Sequence, residues 1–125
     1  YCGSGVMVAQ FYVADASVTT ATAVAVSSAS GAASLVLPAG AVVLSVSINS
    51  ASTGHIDLGI ATSTASIASN LVLTAGTTSI GSVVTGTPLS ALSTVTAVKN
   101  SDGTGAVGGY ITYYVQDPLV GQQNV

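Results

Sequence analysis

Glutamate and arginine are absent from this chain, cysteine and histidine occur once each, and only 4% of the residues are charged. An ordinary soluble domain is about 25% charged. The charged side chains are Asp15, Asp57, Asp102, Asp117 and Lys99. Each shortage removes a class of function. Phosphate binding rests on clustered Lys and Arg, so no nucleic acid partner is expected. Cys2 stands alone, which excludes an intrachain disulfide and a cysteine metal cluster. A membrane-spanning helix needs about 20 consecutive apolar residues. The longest apolar stretch, Ala39 to Ile48, is broken by Gly40, Ser45 and Ser47, so no membrane span is expected. With 5% aromatics the chain also lacks the girdles of a membrane barrel. It opens on Tyr1 rather than Met and carries no basic-then-apolar signal pattern. The expectation is a trimmed precursor, or a start that lies outside this sequence.

What remains is small and β-forming. The 125 residues fit one domain with a core of its own. They are 49% hydrophobic, with a mean hydropathy of +0.73 and a net charge of −3. Ala, Val, Ser, Thr and Gly make up most of the rest. A surface of hydroxyls and methyls loses little on desolvation, because no ion has to leave water. Almost no like-charge repulsion keeps copies apart. Both properties suit a subunit that packs into an assembly.

The pattern along the chain is strand and turn. Val6 to Val13 is apolar on both faces. Thr22 to Val26 is β-branched at alternate positions and precedes a small-residue turn at Ser27 to Gly31. Ser34 to Leu37 is stopped by Pro38, and Pro38-Ala39-Gly40 is a turn. Val42 to Asn49 has period two, with Leu44, Val46 and Ile48 inward and Val43, Ser45 and Ser47 outward. His55 to Ala61 repeats the pattern, with Ile56, Leu58 and Ile60 inward. Ser63 to Ser69 is the one place where a short helical turn is expected. Leu71 to Thr74, Ile80 to Val84 and Thr94 to Lys99 follow as strands. Asn100 to Gly105 reads as the strongest turn. Tyr110 to Gln116 is bulky on both faces and is expected to lie at the centre of a sheet. About eight short strands with evenly spaced turns predict an all-β, single-domain antiparallel β-sandwich, jelly-roll-like, over residues 6–118. Residues 1–5 and 119–125 are expected to be extended terminal arms.

The inventory for chemistry is thin. His55 and Asp57 share one strand face two residues apart, and no Gly-x-Ser-x-Gly elbow occurs. His55 reads as a surface histidine beside a loop. Asp102, in Asn100-Ser101-Asp102-Gly103, matches part of a calcium loop, but the closing Glu is missing, so a turn accounts for it. Asp15, Asp57 and Asp117 have no spacing that brings two carboxylates together as glycoside hydrolysis requires. Gly3-Ser4-Gly5 and Gly103-Thr104-Gly105 lack the strand, helix and Lys of a phosphate loop. No catalytic, cofactor-binding or metal residue is assigned, and the chain is not expected to be an enzyme.

The stretch Leu35-Val36-Leu37-Pro38-Ala39-Gly40-Ala41-Val42-Val43 resembles a turn-into-strand segment common in small structural proteins of tailed bacteriophages. Ile56-Asp57-Leu58-Gly59-Ile60 resembles their next strand. Gly109-Tyr110-Ile111-Thr112-Tyr113-Tyr114-Val115 resembles their aromatic closing strand. The order and spacing agree from Ser34 to Asp117, and the motifs are fold motifs rather than catalytic ones. The resemblance implies a virion role at the particle surface, as a head decoration or cement protein. Such a protein packs as a homo-oligomer, often a trimer, on a major capsid protein. The alternative is a secreted, self-assembling filament or surface-layer subunit in which Cys2 to Val13 serves as a donor strand for a neighbour. A third class, a carbohydrate-binding module, would need an exposed aromatic platform.

Overall fold

Strand pairing in this chain is nested, the ends folding back on one another around a middle hairpin. The computed structural model describes residues 5–51, 53–76, 78–81 and 88–116. Nine strands appear there: β1 (Met7–Val13), β2 (Thr22–Ala23), β3 (Val36–Leu37), β4 (Ala41–Ser50), β5 (Gly54–Ile60), β6 (Ser63–Leu73), β7 (Thr78–Gly81), β8 (Ser93–Gly103) and β9 (Val107–Val115). Among the described residues there is no helix, and so none long and apolar enough to cross a membrane. The innermost pair is β5 with β6. Around it β4 pairs with β7, β2 and β3 pair with β8, and β1 pairs with β9, all antiparallel.

Two further pairings roll this long hairpin into a sandwich. Strand β4 also pairs with β9, and β5 with β8. The first sheet then has the order β1-β9-β4-β7, and the second runs β2-β8-β5-β6 with β3 also on β8. β2 meets β8 at Ala97 and Thr96, and β3 meets it at Thr94 and Ser93, so the two short strands share one edge position. With that position counted once, eight positions are laid out as in a jelly roll. The expected β-sandwich is therefore the fold. β9 lies between β1 and β4, the central place expected for the closing strand.

The core sits between the sheets. Phe11, Val46, Ile48 and Ile111 enter it from the first sheet, and Ile56, Leu58, Leu71 and Val95 from the second, all essentially without solvent exposure. Alternation along the strands supplies these positions, as in other sandwiches. Two glycines are dictated by space and dihedral. A Cβ on Gly59 would fall 2.2 Å from the Ser63 carbonyl oxygen, so only glycine lets the start of β6 fold over β5. Gly40 has φ of 87° in the Pro38 turn, where Ala41 N–H donates to Pro38 C=O at 3.2 Å.

Five sequence expectations need correction. Ser63 to Ser69 is not a helical turn but the first half of β6, because its pairing with β5 outweighs the helix propensity of its alanines. Leu44 is not in the core. The β4–β9 register shifts between Val43 and Ser45, and Leu44, the extra residue, is 47% exposed. The same bulge reverses the alternation, so Val43 packs on the core instead of facing out. Asn100 to Gly105 is mostly strand: β8 continues to Gly103, and the chain reverses at Thr104 to Ala106, with Gly105 at φ of 75°. Finally, Ile60 is only half-buried, at the end of β5. Of the expected arms at 1–5 and 119–125, all but Gly5 lie outside the described residues, as do Cys2, Asp117 and residues 82–84 of the strand expected from Ile80 to Val84.

Leu58 is completely buried, whereas Leu44 is not. Leu58→Ala should cost about 2–5 kcal/mol in chemical denaturation, and Leu44→Ala should cost less than about 1 kcal/mol. Equal losses would contradict the bulge. Thr96 is buried, and its hydroxyl has no hydrogen-bond partner in the structure. Thr96→Val, which removes that hydroxyl at constant shape, should leave stability unchanged or raise it by about 1 kcal/mol in the same measurement.

Candidate functional site

The few charges are sorted by sheet. The strands of the first sheet, β1, β4, β7 and β9, contain no Asp, Lys or His. His55 and Asp57 lie on β5, and Lys99 and Asp102 on β8, all in the second sheet. Asp15 lies in the connection from β1 to β2, where its carboxylate accepts from Ser17 N–H at 2.9 Å and Ser17 O–H at 2.7 Å. Those bonds favour the ionised form and hold the Asp15 carboxyl below the usual carboxylate range.

On the second sheet the polar residues form two small contacts. Asp57 Oδ1 accepts from Asn100 Nδ2 and from Asn70 N–H, both at 2.8 Å. Asn70 takes a positive φ of 57°, a conformation Asn tolerates better than most residues, and this aims its amide at the carboxylate. His55 Nδ1 lies 2.6 Å from Asp102 Oδ1 and 3.2 Å from Ser101 Oγ. Ser101 O–H also donates to Asp102 Oδ1 at 3.1 Å. The partner of His55 is thus Asp102 from the neighbouring strand, not Asp57 on its own. Its reading as a histidine beside a loop, and that of Asp102 as a turn residue, miss this because β8 runs to Gly103, four residues further than expected. Once Gly54 is known to oppose Gly103, the contact follows from sequence adjacency.

Serine, histidine and aspartate therefore meet, but not in relay order. A nucleophilic triad places the serine on one ring nitrogen and the carboxylate on the other. Here both lie against Nδ1, and Ser101 and Asp102 are consecutive residues. The geometry can orient an imidazole and stabilise a carboxylate; it does not aim a base at a nucleophile. Among the described residues no three His, Cys, Asp or Glu side chains come together to hold a metal ion.

The first sheet presents a different surface. Alternation places Val8, Gln10 and Tyr12 of β1, Ser45, Ser47 and Asn49 of β4, and Tyr110, Thr112 and Tyr114 of β9 on its outer face. Gln10, Tyr110 and Ser47 are in register across the three strands, as are Val8, Thr112 and Ser45. Tyr110 is 51% exposed and Val8 62%. The face is broad, neutral and hydroxyl-rich, with aromatic and aliphatic side chains among its polar groups. Its lack of charge and its tyrosines are features shared with interface cores, whereas its serines are not. The sequence holds all these residues, but only the rolled topology gathers β1, β4 and β9 side by side.

The His55 contact is the largest cause that holds the Asp102 carboxyl below its ordinary range, followed by the Ser101 hydroxyl. A carboxyl depressed in the fold contributes stability above its unfolded value, near 3.9, and loses it as pH falls through the lower folded value. Asp102 is exposed, so this contribution is small. In an NMR titration the Asp102 midpoint should lie below about 3.9 and rise towards it in His55→Ala. A midpoint unmoved by that substitution would contradict the contact.

Comparison with known proteins gives a fold neighbour. No protein-family description matches the chain, and no curated protein matches its sequence. A solved chain from the capsid asymmetric unit of the cyanophage Pam1 superposes with a TM-score of 0.61 at 19% identity, over 91% of this chain and 87% of that one. The chain shares its fold with that capsid-unit chain.

Proposed function

We propose that this chain is a virion structural protein of a bacteriophage, most specifically a decoration or cement protein that stabilises the head by packing on the capsid exterior. The observation that carries this reading is the charge-free outer face of the first sheet. A jelly roll with all its strand-borne charges on one sheet and none on the other has one face suited to lasting burial. The fold neighbour in a cyanophage capsid unit supports the same reading, as analogy of fold rather than identity of role. Its partners would be copies of itself and a major capsid protein. The role proposed here is one of contact area: among the described residues, the His55 contact lacks relay geometry.

The filament alternative loses its donor strand. Met7–Val13 pairs along its whole length with the chain's own β9, so it completes its own sheet. A surface-layer role without strand donation would use the same neutral face, and the shape of the native particle separates the two.

Imaging of the native particle should show the chain on the outside of a closed shell. A helical filament or an open lattice would overturn the assignment. Association should change by less than about threefold between low salt and about 1 M NaCl, where the Debye length is only about 3 Å. Dissolution of the contact by moderate salt would show that charge, and not neutral burial, holds it.

A further inference from the structure

We propose that β1 is the seam of a two-fold homodimer, pairing antiparallel along its open edge with β1 of a second copy. The inference requires self-association only and stands apart from the virion reading. It begins with the edges of the two sheets. β2 and β3 are two residues each and β7 is four. β6 is long, but its register with β5 shifts twice and Asn70 turns it through a positive φ. Short, kinked or bulged edges resist pairing with another chain. β1 has none of these protections. Its seven residues keep an unbroken register with β9, from Met7 opposite Tyr113 to Val13 opposite Val107, and contain no proline and no charge.

Among the described residues, one end of that edge is closed and the other is open. Tyr12 N–H donates to Ala25 C=O at 2.8 Å, and Ala25 N–H donates to Tyr12 C=O at 2.9 Å, on the side away from β9. Backbone groups alternate between the two edges of a strand, so Gln10 and Val8 direct theirs to the same side as Tyr12. No described strand lies beside them. Val6, Met7 and Val8 are 63%, 38% and 62% exposed, the densest run of exposed large apolar residues in the described chain.

A second copy fits this edge in length, polarity and charge. An antiparallel two-fold centred on Val8 sets Val8 against the partner's Val8 and Gln10 against the partner's Val6. Three such pairs exchange about six backbone hydrogen bonds. The paired segment then ends where Ala25 already occupies Tyr12 in each copy, so both edges supply a stretch of the same length. A self-paired strand sets residues of one kind near each other, where like charges would be destabilising. β1 carries none, and its neutrality offers nothing to a charged foreign strand. The dimer would join the two first sheets edge to edge and extend their neutral outer faces into one surface.

The test is sedimentation of the full chain with three variants. Proline is tolerated at an edge position whose N–H faces away from the sheet, so Val8→Pro should keep the thermal transition near that of the unmodified chain. It should weaken dimerisation at least about tenfold. Val8→Lys leaves the ladder to β9 intact and sets two ammonium groups together. Its dimer should weaken at low salt and recover towards the parent value at high salt, as screening removes the repulsion. Val8→Cys in a Cys2→Ser background should form an intermolecular disulfide under mild oxidation. Hydrogen-bonded antiparallel pairs have Cα atoms about 5.5 Å apart, within disulfide reach. Val72→Cys, exposed on the second sheet, should not cross-link. A monomeric parent chain, a Val8→Lys dimer as tight as the parent at low salt, or a dimer without the Val8→Cys cross-link would overturn the proposal. None of these results bears on where the chain lies in its native particle, which imaging reads separately.

Discussion

Antiparallel pairing of β9 on both its edges is the interaction from which the rest of the sandwich follows. On one side β9 holds β1 from the start of the described chain, and on the other it holds β4 from the middle. Those two ladders close the first sheet across nearly the whole chain length. They also set Ala9, Ile111 and Val46 in register on the core side of the sheet. With β9 in place, β8 has to turn back beneath it at Gly105, and β8 then recruits β5, β2 and β3. Contacts of this separation are slow to form, since loop closure precedes the gain from pairing. Damage to β9 should therefore reach both sheets, whereas damage to β6 stays on one edge.

The low charge and the fold are linked through this arrangement. Backbone hydrogen bonding inside the ladders requires no charged side chain, and a core of Val, Ile and Leu requires none either. Of the described charges, Asp57, Lys99 and Asp102 lie on β5 and β8, where Asp57 accepts from Asn70 and Asn100 and Asp102 meets His55 and Ser101, while Asp15 is held by Ser17 in the connection from β1 to β2. The first sheet is left without them. Neutral hydroxyls and tyrosines can be buried against another protein at small desolvation cost, while a carboxylate would need a partner. Fold and composition thus support the same reading, in which the neutral first sheet is the one suited to contact.

Much of the fold was legible from local pattern. Ile56 and Leu58 alternate with His55 and Asp57, and the Pro38-Ala39-Gly40 turn has the residues its dihedrals demand, so both were placed correctly. The bulky closing strand was rightly put in the centre. The errors arose where pairing overrides local preference. Nothing near Leu44 announces a bulge, because an extra residue is defined only against the partner strand. Ala65 and Ala68 favour a helix in isolation and yield to β5. Asn100, Ser101 and Asp102 carry turn chemistry, yet lie in a strand because Gly103 is held opposite Gly54. The neutral face was legible only in part: the shortage of charge was plain, but its distribution between sheets depends on which strands the roll brings together.

The central claim is that the outer face of the first sheet, and not the charged second sheet, is buried in the assembly. Hydroxyl-radical footprinting of the native particle against the dissociated chain tests it most directly, with Tyr110 and Tyr114 reporting on the outer face of the first sheet and His55 on the second. The account predicts that Tyr110 and Tyr114 lose reactivity on assembly while His55 keeps it. Protection of His55 with Tyr110 and Tyr114 still reactive would contradict it.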